Sequence, residues 1–122
     1  MRQGSASIKA VNDEATHPDV DQVPLERIFA ALADPARLAT VRALAAVGET
    51  TCIQVTREAG LSVSRSTMSH HLRILREAGL IRSRAHGAAR MVTLRKDELE
   101  RRHPGLLGVV LRPPGGPRRC SP

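Results

Sequence analysis

The sequence predicts a mainly α-helical domain with one small β-hairpin, in the order helix, turn, helix, hairpin. Three observations carry this. In SRSTMSHHLRILREAG (64–79), Met68, Leu72, Leu75 and Gly79 recur at spacings of four, three and four, which places them on one face of an α-helix. Just upstream, the segment Ile53 to Ala59 closes on Gly60, so a short helix and a turn precede the long one. Just downstream, the apolar period changes from 3.6 to 2. Leu80–Arg84 and Arg90–Leu94 read as two strands, with a turn at His86-Gly87 between them.

The elements follow in order. Residues 1–20 are small, polar and charged with little apolar period, and read as a mobile leader in which His17 is solvated. A first helix is expected from about Asp21 to Ala33, with Asp21 as cap, Pro24 in the first turn and an apolar stripe of Leu25, Ile28, Phe29 and Leu32. Asp34-Pro35 stops it and starts the second, with Asp34 as N-cap and Pro35 at the first helical position. That helix buries Leu38, Val41, Leu44 and Ala45, turns Arg37 and Arg42 outward, and ends at Gly48. Glu49 to Cys52 is a short connection with room for one extended pairing. Leu61-Ser62-Val63 forms the turn, and Ser64 caps the long helix. After the hairpin, Asp97 is expected to cap a last helix that Pro104-Gly105 breaks. Leu106 to Leu111 is too apolar to sit exposed. It is expected to pack on the first helix and on the same segment of a second copy. The tail from Arg112 is rich in Pro, Gly and Arg and is expected to be disordered. The organisation is thus a leader (1–20), one domain (21–111) and a tail (112–122).

Charge is unevenly spread. Residues 1–33 carry three Lys/Arg and five Asp/Glu, a net of −2; the remainder carries sixteen and seven, a net of +9. A basic domain behind an acidic leader suits a polyanionic partner. Phe29 is the single aromatic residue. Single-strand or RNA binding by base stacking is therefore disfavoured. A purely aliphatic core in so small a domain is marginal, so further burial in a homodimer is expected. The two cysteines make no disulfide framework, and no apolar run has membrane length. A cytoplasmic protein with no membrane partner is the expectation.

The polar face of the long helix offers Arg65, Ser66, Thr67, Ser69, His70, Arg73 and Arg76, with no carboxylate before Glu77. Hydroxyls and arginines at a positive helix N-terminus suit double-stranded DNA. Ser and Thr bond bases or phosphates, and Arg reads guanine or clamps phosphate. The plain alternative is a solvated basic face. A basic hairpin directly after such a helix reads as a wing, with Arg84 and Arg90 near phosphates; its alternative is a hairpin that merely caps the core. His70-His71 chelates one ion poorly, because adjacent helical residues point about 100° apart. His70 falls on the polar face, while His71 falls nearer the apolar face and is expected to pack. No metal and no cofactor are expected. Cys52 reads as a small buried hydrophobe, or as a redox-active thiol at a helix start. Cys120 stands beside Arg118-Arg119 in the tail. There is no Gly-rich phosphate loop and no nucleophile–base motif, so an enzyme is not expected.

Three stretches together resemble the ArsR/SmtB family of winged helix-turn-helix repressors. LADPARLATVRALA (32–45) resembles the junction of the family's first two helices, and STMSHHLRILREAGLI (66–81) its recognition helix and first wing strand. HPGLL (103–107) after DELERR resembles the C-terminal part of an actinobacterial-type subgroup. The resemblance spans roughly residues 22–111. It implies a homodimeric repressor on a palindromic operator, dimerised through its first and last helices, here Leu25, Ile28, Phe29, Leu106, Leu107 and Val110. Many members sense metals, arsenicals or persulfides. The paired cysteines of the arsenical type are reduced here to Cys52, and the last helix lacks the zinc type's ligand set beside His103. The alternatives are a thiol- or metal-responsive switch using Cys52, and a basic protein-interaction module without specific DNA binding.

Overall fold

Near the start of the domain the Asp19 carboxylate accepts the Asp21 N–H at 3.0 Å and starts a 3-10 turn over Val20–Gln22. The computed structural model describes residues 17–112. Expectations for residues 1–16 and 113–122, including the leader's start, the tail and Cys120, lie outside the described residues. The turn takes the place of the expected first helical turn. Helix α1 begins only at Leu25 and runs Leu25–Leu32, with Pro24 as its N-cap. Asp21 therefore caps nothing. The end of the expected leader is also fixed, since Val20 is buried and His17 Nε2 accepts the Ser83 N–H at 2.8 Å.

Helix α2 (Pro35–Val47) matches its sequence reading. Asp34 Oδ1 accepts the N–H groups of Ala36 and Arg37, and Gly48 closes the helix at φ +78°. The expected outward arginines are instead tied down. Arg37 Nε donates to the Ala31 carbonyl at 2.7 Å, and Arg42 donates to the carbonyls of Val110 and Arg112. Each guanidinium meets carbonyls left unpaired at the end of a neighbouring segment. Strand β1 (Thr50–Thr51) follows, then α3 (Cys52–Glu58), whose start is capped by Thr51 Oγ1 accepting from Gln54 N–H.

Residues 59–64 join α3 to α4 (Arg65–Glu77). Both helices end alike. Gly60 and Gly79 adopt positive φ, and the next residue's N–H returns to a carbonyl five residues back: Leu61 to Thr56 and Leu80 to Leu75. At Gly79 there is a second constraint, because a Cβ would lie 3.3 Å from Val23 Cγ2. Strands β2 (Ile81–His86) and β3 (Ala89–Leu94) then pair antiparallel from Ile81↔Leu94 to His86↔Ala89. The hairpin is thus longer than its sequence reading, and its loop is only Gly87-Ala88. The positive φ of Gly87 satisfies a two-residue loop. With β1 on the far side of β3, the sheet order is β1-β3-β2.

Helix α5 (Lys96–Arg102) starts one residue before the expected Asp97 cap. Its N-cap is Arg95, with no side-chain cap bond. Gly105 breaks the chain and α6 (Leu106–Val110) follows. The core is aliphatic, as composition required. Ile28, Val41, Leu44, Val55, Leu75, Leu80, Ile81, Val92 and Leu99 are essentially inaccessible to water. Each large side chain so buried contributes about 1.5–3 kcal/mol. Met68, Leu72 and Leu75 deliver the apolar face of α4 into this core, which holds its opposite face to solvent.

Candidate nucleic-acid interface

The start of α4 is organised by its cap. Ser64 Oγ accepts the Thr67 N–H at 3.1 Å and donates to Thr67 Oγ1 at 3.0 Å. Ser66 Oγ lies 3.3 Å from Ser64 Oγ. The first turn therefore carries a small cluster of hydroxyls beside unpaired backbone N–H groups, where the helix dipole is positive. Arg65, Ser66, Thr67, Ser69, His70 and Arg73 are all exposed. Within that set, Arg73 Nη2 lies 3.3 Å from His70 Nδ1, so the two side chains meet on the exposed face of the helix.

The remaining sequence-selected residues are placed differently. Arg76 is half-buried, and among the described residues its Nε finds no hydrogen-bond partner. Arg84 forms a two-pronged ion pair with Glu49, at 2.9 and 3.2 Å. That pair lowers the Glu49 carboxyl pKa, chiefly through the hydrogen bond from Arg84. Arg90 turns back across the sheet and donates to Ser83 Oγ at 3.1 Å. The selected α4 residues from Arg65 to Arg73 are thus brought together on one open surface, while the hairpin arginines are held against the protein. Arg73, Arg76 and Arg90 nonetheless line one polar cleft of about 400 Å³ between α4 and the sheet.

His71 packs as expected, half-buried, and receives Arg37 Nη1 at 3.3 Å on its Nδ1. Arg37 thereby joins the end of α1 to the middle of α4. No local signal announces it, because the partners are thirty-four residues apart. Glu49 was missed for the same reason. Cys52 is half-buried at the start of α3, and burial raises its pKa, with a smaller opposing pull from Arg90. The activation expected from a helix start is outweighed there. Among the described residues, no three His, Cys, Asp or Glu side chains cluster as metal ligands, and no helix is long and apolar enough to cross a membrane.

The six residues expected at a dimer contact differ in exposure within the single chain. Ile28 is fully buried and Leu107 is 4% exposed, and both belong to the core of the single chain. Leu25 and Phe29, one helical turn apart, are open at 40% and 52%, and Val109 is open at 68%. Leu106 and Val110 are half-buried.

A helix-turn-helix domain model matches residues 32–84. The uncharacterised HTH-type transcriptional regulator YceK of Bacillus subtilis is 38% identical over 91 residues, covering 74% of this chain and 88% of that protein. Among solved structures, a regulator described as a possible transcriptional regulator for arsenical resistance is 34% identical. It covers 62% of this chain and 75% of its own, with a TM-score of 0.53. The homodimeric winged helix-turn-helix DNA-binding domain of a possible ArsR-family regulator from Mycobacterium bovis is 25% identical. That match covers 89% of both chains, with a TM-score of 0.57.

Proposed function

The chain belongs to the ArsR-type winged helix-turn-helix transcriptional regulators, and we propose that within this family it is a homodimeric repressor that covers a palindromic operator. It is a DNA-binding regulator and not an enzyme. One observation carries the finer reading: the exposed face of α4 presents hydroxyls, His70 and two arginines from a capped helix start, with no carboxylate among residues 65–76. Two such helices related by a two-fold axis would enter successive major grooves about 34 Å apart. Ser66, Thr67, Ser69, His70 and Arg73 supply groove contacts. Arg65 and Arg76 hold phosphates, with Arg84 and Arg90 adding field from the hairpin.

The reading is tested by anisotropy titration against the gene's own upstream duplex and a scrambled duplex, at two salt concentrations. Selective, tight binding is expected. Equal, weak, salt-erased binding to both duplexes would overturn it.

Dimerisation is assigned to the exposed Leu25–Phe29 edge of α1 and to α6. Because Phe29 is half-exposed in one chain, Phe29→Asp should leave the monomer folded and halve the mass seen by sedimentation velocity. A variant that stays dimeric would place the interface elsewhere.

The Glu49–Arg84 pair lies where the wing would approach phosphate. Removing its carboxylate in Glu49→Gln should tighten binding to every duplex by a few-fold and steepen the salt dependence, since one repulsive charge is lost. An unchanged salt slope would mean that the hairpin stands clear of the DNA.

A further inference from the structure

Between α3, the first turns of α4 and the hairpin loop lies an open cleft of about 720 Å³, a size that holds small organic ligands. Its floor is apolar and not used by the DNA reading: Leu61, Val63, Met68 and Leu72, with the Cys52 side chain beside them. Ile53 stands at its edge with 52% of its surface in water. An exposed branched aliphatic chain facing an apolar hollow gains by being covered. The charge around the hollow has one sign. Arg57, Arg65 and Arg90 line it, and among the described residues no carboxylate does.

We propose that this cleft binds an amphipathic organic anion, with an apolar ring or chain body and a carboxylate or sulfonate head. The body lies over Ile53, Leu61 and Met68, where it displaces water. The head is drawn by the arginines that line the hollow, Arg57 and Arg65 with Arg90 behind them, whose positive field a neutral ligand would leave uncompensated. Cys52 contributes a neutral, polarisable wall, consistent with the burial that keeps its thiol protonated.

The position gives the site a regulatory consequence. One wall is the α4 start, through Ser64, Arg65 and Ser69; the other is the hairpin, through Ala88, Ala89 and Arg90. An occupant bridges recognition helix and wing, and its head takes Arg65 from phosphate. Ligand and duplex therefore exclude one another. This consequence rests on the DNA reading above, whereas the ligand chemistry of the cleft does not.

The test uses 8-anilinonaphthalene-1-sulfonate, an aromatic sulfonate, titrated by fluorescence into the full chain without DNA. Saturation at one probe per chain is expected. Ile53→Glu and Arg57→Glu should each weaken it tenfold or more; both positions are exposed, and circular dichroism checks that the fold is kept. Wild-type affinity in both variants would overturn the site. The upstream duplex is then added, and probe release should parallel duplex binding. A duplex that binds without releasing the probe overturns the regulatory consequence. A duplex that does not bind at all counts against the DNA reading, and the probe titration still decides the cleft.

Discussion

Glu98→Ala is expected to lower stability by about 2–3 kcal/mol, a fall in Tm on the order of 10–20 °C for a domain of this size. The reason is the partner it leaves behind. Arg95 is only 6% exposed. Its guanidinium donates to both oxygens of Glu98, at 2.7 and 3.2 Å, and to the Pro18 carbonyl at 2.7 Å. With the carboxylate gone, a buried cation keeps one carbonyl for company. The usual cost of breaking a buried pair is about 3–5 kcal/mol; the lower figure reflects the partial exposure of Glu98, which lets water reach Arg95. Arg82 donates to the same carboxylate but is 44% exposed, so Arg82→Ala should cost under about 1 kcal/mol. Urea unfolding of the two variants compares them directly. Equal losses would mean that the buried arginine is rescued by water.

The same carboxylate sets an acid limit. The hydrogen bond from Arg95 is the largest influence, and it holds the Glu98 carboxyl at about 2 against an ordinary 4.5. A depressed carboxyl contributes stability that is complete above the unfolded value and is lost as pH falls toward the folded one. Wild-type stability should therefore decline between about pH 4.5 and pH 2. Glu98→Ala should show a shallower decline over that window.

That clamp also marks where the sequence stopped being legible. Asp34, Ser64 and Gly79 act on neighbours within five residues, and a cap or a positive-φ glycine declares itself by adjacency to proline or to an apolar period. Asp21 looked like the same signal, but the chain spent its polar start on a 3-10 turn with Asp19 as the acceptor. The ties that fix the wing base are of another kind. Arg95 meets a carbonyl seventy-seven residues away, and His17 meets a strand N–H sixty-six away. No period encodes such partners. The α1 stripe shows a similar limit. Its spacing marks Leu25, Ile28 and Phe29 as apolar alike, yet only the packed chain shows that Ile28 faces the core and the other two face water. For the candidate interface, α4 was legible because its two faces differ so sharply. Arg84 was not, because the carboxylate that engages it lies thirty-five residues upstream.

Arg73→Ala should cost about 1–3 kcal/mol in operator binding, five- to 150-fold in Kd, and relax base preference at one position of each half-site. Arg73 projects from the exposed face of α4, about two and a half turns beyond the Ser64 cap. One Nη of its guanidinium meets His70 Nδ1, which leaves other N–H donors for a guanine edge. Arg65, in the first turn, is the residue we assign to phosphate. Arg65→Ala should therefore weaken operator and scrambled duplex alike and reduce the salt slope by about one. The contrast between the two variants is what assigns the face. If Arg73→Ala instead loses affinity equally for both duplexes, with a shallower salt slope, Arg73 is a phosphate clamp and base reading must come from Ser66, Thr67 and Ser69. His70→Ala separates these cases further. Should His70 only orient Arg73, its removal will lower specificity without touching the salt slope, because no phosphate contact is lost with it.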